Sequence, residues 1–371
     1  MSTLDLEIQL LAVVVAVTCA LPGVFLVLRR MALMSDAISH SILLGIVLAF
    51  FVVHEITHPL LILGAAATGV LTVALVELLH GTRRVKEDAA IALVFPALFS
   101  VAVILIARYA GNVHLDLDAV LLGEIAFAPF RRLVVAGMDL GPRGLWLMGG
   151  ILLLNVTAIL LFYKELKVST FDPGLAAAMG FSPVLLHYGF MSLVSVTAVG
   201  AFDAVGSILV VALMIAPPAA AYLLTDRFSL LLMLSAVIGA VSAVAGFWLA
   251  RLLDASIAGS MATMAGVAFL LALLLAPDRG VVAGMRRRAR QRIEFAGLML
   301  TIHLLHHEGG PAARHENRVA HLQEHLRWSS EFARRVVRRA EREGLVIRGE
   351  GDLLRLTPLG REAARHGMVR Y

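Results

Sequence analysis

The chain is 371 residues long, 59% hydrophobic and only 16% charged, with a formal net charge of +5 and a mean hydropathy of +0.85. That balance excludes an ordinary soluble domain and points to a polytopic membrane protein. A single cysteine, Cys19, excludes an intramolecular disulfide framework, and the absence of any Gly-Lys dipeptide excludes a phosphate-binding loop of the G-x-x-x-x-G-K-[ST] type.

Charge is unevenly distributed along the chain. Residues 284–371 hold 18 Arg and no Lys against 10 Asp and Glu, a net of +8, whereas the first 283 carry 14 basic and 17 acidic side chains, a net of −3. The division predicts a membrane domain over residues 1–280 and a basic soluble domain over 286–371. A span needs about 20 mostly apolar residues. Candidates fall near 8–28, 33–53, 59–79, 89–109, 145–163, 183–202, 206–224, 229–251 and 260–276. The expected fold is an all-α polytopic membrane protein of about eight to nine transmembrane helices, followed by a small cytoplasmic α+β domain. Basic residues favour the cytoplasmic side. The loops holding Arg29 and Arg30, then Arg83, Arg84 and Lys86, then Lys164 and Lys167, then Arg227, alternate accordingly. That pattern puts the N-terminus outside and the tail inside. Arg131, Arg132 and Arg143 fall on the opposite side, in a loop over 110–144 that also holds Asp116, Asp118, Glu124 and Asp139.

The first polar feature is "RRMALMSDAISHSILLG" (29–45), which places Asp36 and His40 four residues apart in the second span. On a helix both project from one face, about 5–6 Å apart. His40 lies roughly 15 Å along from Arg30, about midway through a ~30 Å hydrocarbon core. A charge there costs about 2.5–3.5 kcal/mol on the mildest scale, so the pair marks a functional site or a structural lock between helices. Imidazole and carboxylate suit Zn²⁺, Mn²⁺ or Fe²⁺, with Ser35, Ser39 and Ser41 close by.

Further along, "HEITHP" (54–59) spells H-E-x-x-H. That pattern binds zinc only on a helix, where both histidines face one way; here it falls at a span end, and a polar loop is expected. "NVHLDLD" (112–118) offers His114, Asp116 and Asp118 as a possible outer metal-receiving loop. "KELKVSTFDPGLAAAMGFSP" (164–183) predicts a short helix of about two turns, with Asp172-Pro173 as start and Gly180 as stop. His187 is expected to be a lone, satisfied histidine. The joint "VGAFDAVGS" (199–207) leaves almost no loop between two spans, and its glycines around Asp203 suggest broken backbone lining a cavity.

After "MRRRARQR" (285–292), "IEFAGLMLTIHLLHHEGG" (293–310) and "ENRVAHLQEHL" predict two helices. Ser329 or Ser330 then caps a basic helix with Arg334, Arg335, Arg338 and Arg339, and "GLVIRGEGDLLRLTPLG" predicts two strands turning at Gly349–Gly351. This order describes a winged helix-turn-helix. A basic helix suits DNA phosphates, anionic lipid headgroups or the acidic face of a partner. His303, His307, His321 and His325 form two i, i+4 pairs that could sense a metal.

"RRMALMSDAISHSILLGIVLAFF" (29–51) resembles the signature of the manganese/zinc/iron ABC-transporter permease family. "GAFDAVGSILVVALMIAPPAAAYLLTD" (200–226) resembles its second block, and "KELKVSTFDPGLAAAMGFSP" its cytoplasmic coupling segment; together they cover roughly residues 8–277. The tail's "GLV…LRLTPLGREAARHGMVR" is similar to the end of the DNA-binding domain of iron-dependent repressors. The first resemblance implies a homodimeric channel in the lipid bilayer, two cytoplasmic ATPase subunits, an extracytoplasmic metal-binding lipoprotein, and Mn, Fe or Zn as cargo with no permanent cofactor. It implies that ATP is hydrolysed by a separate chain. It carries the transit site onto Asp36 and His40, with Asp203 a candidate third ligand only if residues 199–207 dip inward. It carries ATPase coupling onto Phe171, Asp172, Pro173, Ala177 and Gly180. Two rival readings are a membrane-tethered, metal-responsive transcription regulator and an intramembrane metalloprotease using His54, Glu55 and His58.

Overall fold

The computed structural model describes residues 3–54, 58, 60–109, 125–135, 138–309, 316–319, 321–322 and 326–369. The chain divides into two compact units, Met1–Gly280 and Val281–Tyr371.

The first unit opens with α1 (Thr3–Leu28), α2 (Ala32–Val53), α3 (Leu60–Gly81) and α4 (Glu87–Tyr109). A 3₁₀ turn (Ile125–Phe130) leads to the hairpin β1 (Arg132–Val135) and β2 (Met138–Pro142). Then come α5 (Arg143–Leu161), the short α6 (Tyr163–Phe171) and α7 (Pro173–Ala178), α8 (Pro183–Val205), α9 (Ser207–Leu224), α10 (Phe228–Leu253) and α11 (Ile257–Leu275). Among the described residues, nine of these helices are long and apolar enough to cross a membrane: α1–α5 and α8–α11. The hairpin is a departure from the all-α expectation. It pairs Arg132 with Pro142, Val134 with Asp139 and Val135 with Met138, antiparallel. Two adjacent valines, Val134 and Val135, favour extended backbone, and Gly141 supplies a positive φ of 92°.

Helix α1 is the hub, packed against α5, α9 and α10. Leu11, Val15, Cys19 and Phe25 are wholly buried along it. Lipid tails give helices no hydrophobic reason to associate, so close backbone approach and hydrogen bonds must do it. Two crossings show this. A Cβ on Gly45 of α2 would lie 2.1 Å from the Gly64 carbonyl of α3, and one on Gly64 would lie 2.6 Å from the Gly45 carbonyl. The same two helices share a buried hydroxyl contact, Ser41 Oγ to Thr72 Oγ1, at 2.6 Å. In the second crossing, buried Asn155 of α5 donates to the Thr18 carbonyl (3.1 Å) and to Thr197 Oγ1 (3.0 Å), tying α5 to α1 and α8.

The joint between α8 and α9 differs from the expected broken backbone. Helix α8 stays helical through Val205, and Gly206 alone (φ 79°, ψ 166°) turns the chain into α9. Only glycine adopts that conformation without strain.

The second unit contains α12 (Val281–His306), α13 (Ser330–Arg342), the strands β3 (Val346–Arg348) and β4 (Leu354–Leu356), and α14 (Pro358–Val369). Helix α12 includes "MRRRARQR" rather than following it. Ser329 caps α13 by accepting from Phe332 N. Val346 pairs with Leu356 and Arg348 with Leu354, and the turn between passes through Gly351 at φ 68°. Leu300, Leu304, Val336, Val337 and Leu354 form this unit's own core. Much of the helix expected over "ENRVAHLQEHL" lies outside the described residues.

Candidate functional site

Asp36 and His40 both lie on α2, one turn apart, with Asp36 Oδ1 3.4 Å from His40 Nε2. The helix there is built from small and apolar residues: Ser35, Ala37, Ile38 and Ser39 are all buried against neighbours. The pair itself stays partly open, with 40% of the Asp36 and 29% of the His40 side-chain surface accessible. Two aromatic rings of α4 frame the imidazole. Phe95 stacks on it at 5.8 Å between centroids and Phe99 meets it edge-on at 6.2 Å. Ser39 Oγ is spent on the Ser35 carbonyl at 2.8 Å, whereas Ser35 Oγ is buried with no partner among the described residues. A carboxylate and an imidazole on one face are two donors of the kind that borderline divalent metals take, and Phe95 and Phe99 pack against the imidazole.

The other sequence-derived candidates fall as follows. Asp203 lies on α8 three residues before the Gly206 turn, largely exposed, and pairs with Arg131 at 3.6 Å. His54 ends α2 in the left-handed conformation (φ 56°). Glu55 lies outside the described residues, and His58 lies outside any helix. The single-helix geometry that H-E-x-x-H needs is therefore not formed. His114, Asp116 and Asp118 lie outside the described residues.

The short helix expected from Asp172-Pro173 to Gly180 forms as α7, and a further helix, α6, precedes it. Asp172 ends α6 and caps α7, its Oδ1 accepting from Leu175 N at 2.9 Å. Pro173 occupies the first turn of α7. Gly180, at φ 89°, closes the helix with its N–H on the Ala177 carbonyl at 3.0 Å. Phe171, Leu175 and Met179 stand 60%, 50% and 56% exposed. Leu175 and Met179 were not singled out by sequence, though the four-residue spacing from Phe171 was there to see.

A second polar cluster was also missed. Arg29, just past the end of α1, donates from Nε to Thr170 Oγ1 (3.2 Å) and from Nη2 to Ser169 Oγ (3.0 Å), both on α6. Its Nη1 meets His187 Nδ1 of α8 at 3.2 Å. His187 Nε2 in turn lies 2.6 Å from Glu77 Oε1 of α3. His187 is thus not alone, and its buried Nε2, though close to Glu77, makes no hydrogen bond of good geometry among the described residues. Burial pushes the Arg29 guanidinium down to about 10, which leaves it charged at neutral pH. Glu77, an acid inside an apolar span, was the available signal.

In the second unit, His303 and His307 rings lie 4.6 Å apart and His303 and His321 rings 6.4 Å apart. His307 pairs with Glu316, and His303 Nε2 lies 3.4 Å from the Glu316 carbonyl. His325 lies outside the described residues. Among the described residues, no group of three or more His, Cys, Asp or Glu stands in metal-holding geometry. Of the basic residues on α13, Arg339 is engaged with Glu294 at 2.9 Å and Glu343 at 2.7 Å, while Arg334, Arg335 and Arg338 are exposed.

Among the described residues, nine helices long and apolar enough to span a bilayer define a polytopic helical membrane protein, with acid–imidazole pairs at Asp36–His40 in its second span and at Glu77–His187 between its third and a later one. The chain belongs to the ABC 3 transport family, which it matches over residues 5–276. It is 50% identical over 357 residues to the zinc transport system membrane protein TroD of Treponema pallidum, covering 96% of this chain and 97% of that one. It is 49% identical over 285 residues to the manganese transport system membrane protein MntD of Bacillus subtilis, covering 77% of this chain and 96% of that one. Its fold is similar to that in the structure of PsaBC from Streptococcus pneumoniae in complex with Fab, with a TM-score of 0.63, 28% identity, and 75% and 94% of the two chains covered.

Proposed function

We propose that the chain is the membrane permease subunit of an ATP-binding-cassette importer of a divalent transition metal, Mn²⁺, Fe²⁺ or Zn²⁺, and that the ion pauses at Asp36 and His40. The observation that carries this is the pair itself: a carboxylate 3.4 Å from an imidazole, partly open, in a span that is otherwise small and apolar. A divalent ion needs about four or more ligands, so one pair is half a site. Two copies of the chain related by a two-fold axis would supply the rest. The names of the relatives, one a zinc and one a manganese transport system protein, support a metal cargo, and the ligand chemistry leaves the choice among the three ions open.

The surroundings take their roles from this reading. The basic ends of the helices support a cytoplasmic side for Arg29, α6 and α7, where exposed Phe171, Leu175 and Met179 would present an apolar surface to an ATPase subunit. Asp172, Pro173, Ala177 and Gly180 shape that surface. On the outer side a lipoprotein delivers the ion, with His114 and Asp116 as candidate first contacts. Asp203, paired with Arg131 near the α8–α9 turn, fits an outer entry better than a third ligand beside His40. The zinc-protease reading has lost its helix, and the transport reading is favoured over it.

For the C-terminal unit we propose a regulatory or docking role. The order α12, α13, β3–β4, α14 supports a winged-helix module. Exposed Arg334, Arg335 and Arg338 suit a phosphate-rich or acidic partner, with DNA binding as the rival use. The clustering of His303, His307 and His321 near Glu316 supports a metal-sensing role that requires the rings to rearrange. Wild-type metal dependence of uptake in a His303→Ala/His307→Ala chain would remove it.

Metal uptake by cells carrying Asp36→Ala or His40→Ala tests the main reading. Removing one first ligand should lower uptake by more than about tenfold with insertion intact. Normal uptake by either inserted variant would overturn the transit site.

A further inference from the structure

The transport reading places the ion on α2 and the ATPase contact on α6–α7, and it makes no use of the Arg29 cluster. That cluster lies between the two. Arg29 sits in the turn joining α1 to α2, which has little slack. The N–H groups of Arg29, Arg30 and Met31 bond back to Phe25, Val27 and Leu26 carbonyls at 2.9, 3.1 and 2.9 Å. Arg30 holds the left-handed conformation at φ 63°, which together with these bonds closes the end of α1 as a defined turn. Asp36 follows seven residues after Arg29.

The guanidinium grips the last turn of α6, at Ser169 and Thr170, directly before the exposed Phe171. Its third arm fixes a tautomer. Arginine only donates, so His187 Nδ1 must accept, and donor–acceptor logic assigns the ring proton to Nε2, facing Glu77. The stack is completed by the Phe190 ring, 5.2 Å beneath the guanidinium. A planar fork can hold two hydroxyls and an imidazole at once; an ammonium cannot reproduce that geometry.

We infer that Arg29 is the positioning residue that transmits movement of α6–α7 to α2, an inference that rests on the transport reading above. When the ATPase displaces α6–α7, Ser169 and Thr170 carry the guanidinium with them. The tight α1–α2 turn cannot absorb the shift, so the start of α2 moves. His187 and Glu77 tie the same displacement to α8 and α3. Arg29 touches no cargo; it acts through α2.

The test uses the full transporter in proteoliposomes, with its ATPase and binding protein, and Mn²⁺ and Zn²⁺ as probes. Uptake and ATP hydrolysis are measured together. Arg29→Gln should lower maximal uptake about tenfold, equivalent to ~1.4 kcal/mol. KM should change less than about twofold, and ATP hydrolysis should continue, so that ATP spent per ion rises. Arg29→Lys should recover part of the rate. Ser169→Ala/Thr170→Ala leaves Arg29 in place and should show the same signature at about a fivefold loss. It decides the question if Arg29→Gln inserts poorly. Wild-type uptake at the wild-type ATP cost in the double variant overturns the relay, as does a parallel fall of uptake and hydrolysis. Asp36→Ala separates the two levels. Normal uptake there overturns the transit site and no uptake by the wild-type transporter sinks the transport reading, whereas loss in Asp36→Ala with normal coupling in the Arg29 and Ser169/Thr170 variants sinks only the relay.

Discussion

Asp36 and His40 meet because one helical turn separates them, and for no longer-range reason. Their proximity was therefore legible from spacing alone. The partners of Arg29 were not, because Ser169, Thr170 and His187 lie 140, 141 and 158 residues away in sequence. Asp36→Asn isolates charge from shape. It keeps the side chain's size but removes the carboxylate that a cation needs. Uptake should fall by more than about tenfold while circular dichroism of the purified protein stays unchanged. A second single-residue effect is a pH dependence. Hydrogen bonds from Arg361 hold the Glu308 carboxyl below its ordinary 4.5. A depressed acid stabilises fully above its ordinary value, and that contribution is lost as pH falls through the depressed value. The thermal midpoint of a 281–371 fragment should therefore drop as pH falls below that ordinary value and through the depressed one. Arg361→Ala should start lower and drop less.

The spans were the most legible elements, because twenty apolar residues with few charges admit little else in a bilayer. What composition could not show was how one span approaches the next. The 199–207 joint is one example: two glycines suggested irregular backbone, but only Gly206 leaves the helix, and Gly200 is packed against Ile151 of α5. The Gly45–Gly64 crossing is another. Gly45→Ala would force its Cβ to 2.1 Å from a carbonyl oxygen, and overpacking of this kind costs about 1–3 kcal/mol. The melting temperature in detergent should fall. Gly149→Ala on α5, where a Cβ meets nothing within 4 Å, should leave it unchanged or slightly raised. Equal melting of the two variants would mean that the close approach contributes nothing.

At the scale of the whole chain, charge partition alone separated a membrane part from a basic tail. The internal arrangement of the tail was harder to read, since spacing brings His303 to His307 but only folding brings His321 beside them. The two units have separate cores. MntD is matched over 96% of its length by 77% of this chain, and the family match itself ends at residue 276. A chain truncated after Gly280 should insert and still take up metal at a rate within about threefold of wild type, a change below 1 kcal/mol in barrier. Uptake abolished in an inserted, truncated protein would instead make the C-terminal unit part of the engine.

The Gly45–Gly64 contact has a mechanical consequence. It is a close backbone approach of α2 to α3, with the Ser41–Thr72 hydroxyl contact one turn away, and makes that stretch a fulcrum centred on Gly45. At 1.5 Å rise per residue, Ala32 lies about 20 Å from it, Asp36 about 14 Å and His40 about 8 Å. If α2 pivots there as a rigid rod, a push of about 1 Å at Ala32 swings Asp36 by roughly 0.7 Å and His40 by roughly 0.4 Å. Metal–ligand distances tolerate only about 0.2 Å. A nudge too small to open a channel would then be enough to loosen a grip, and the carboxylate, on the longer arm, would let go first.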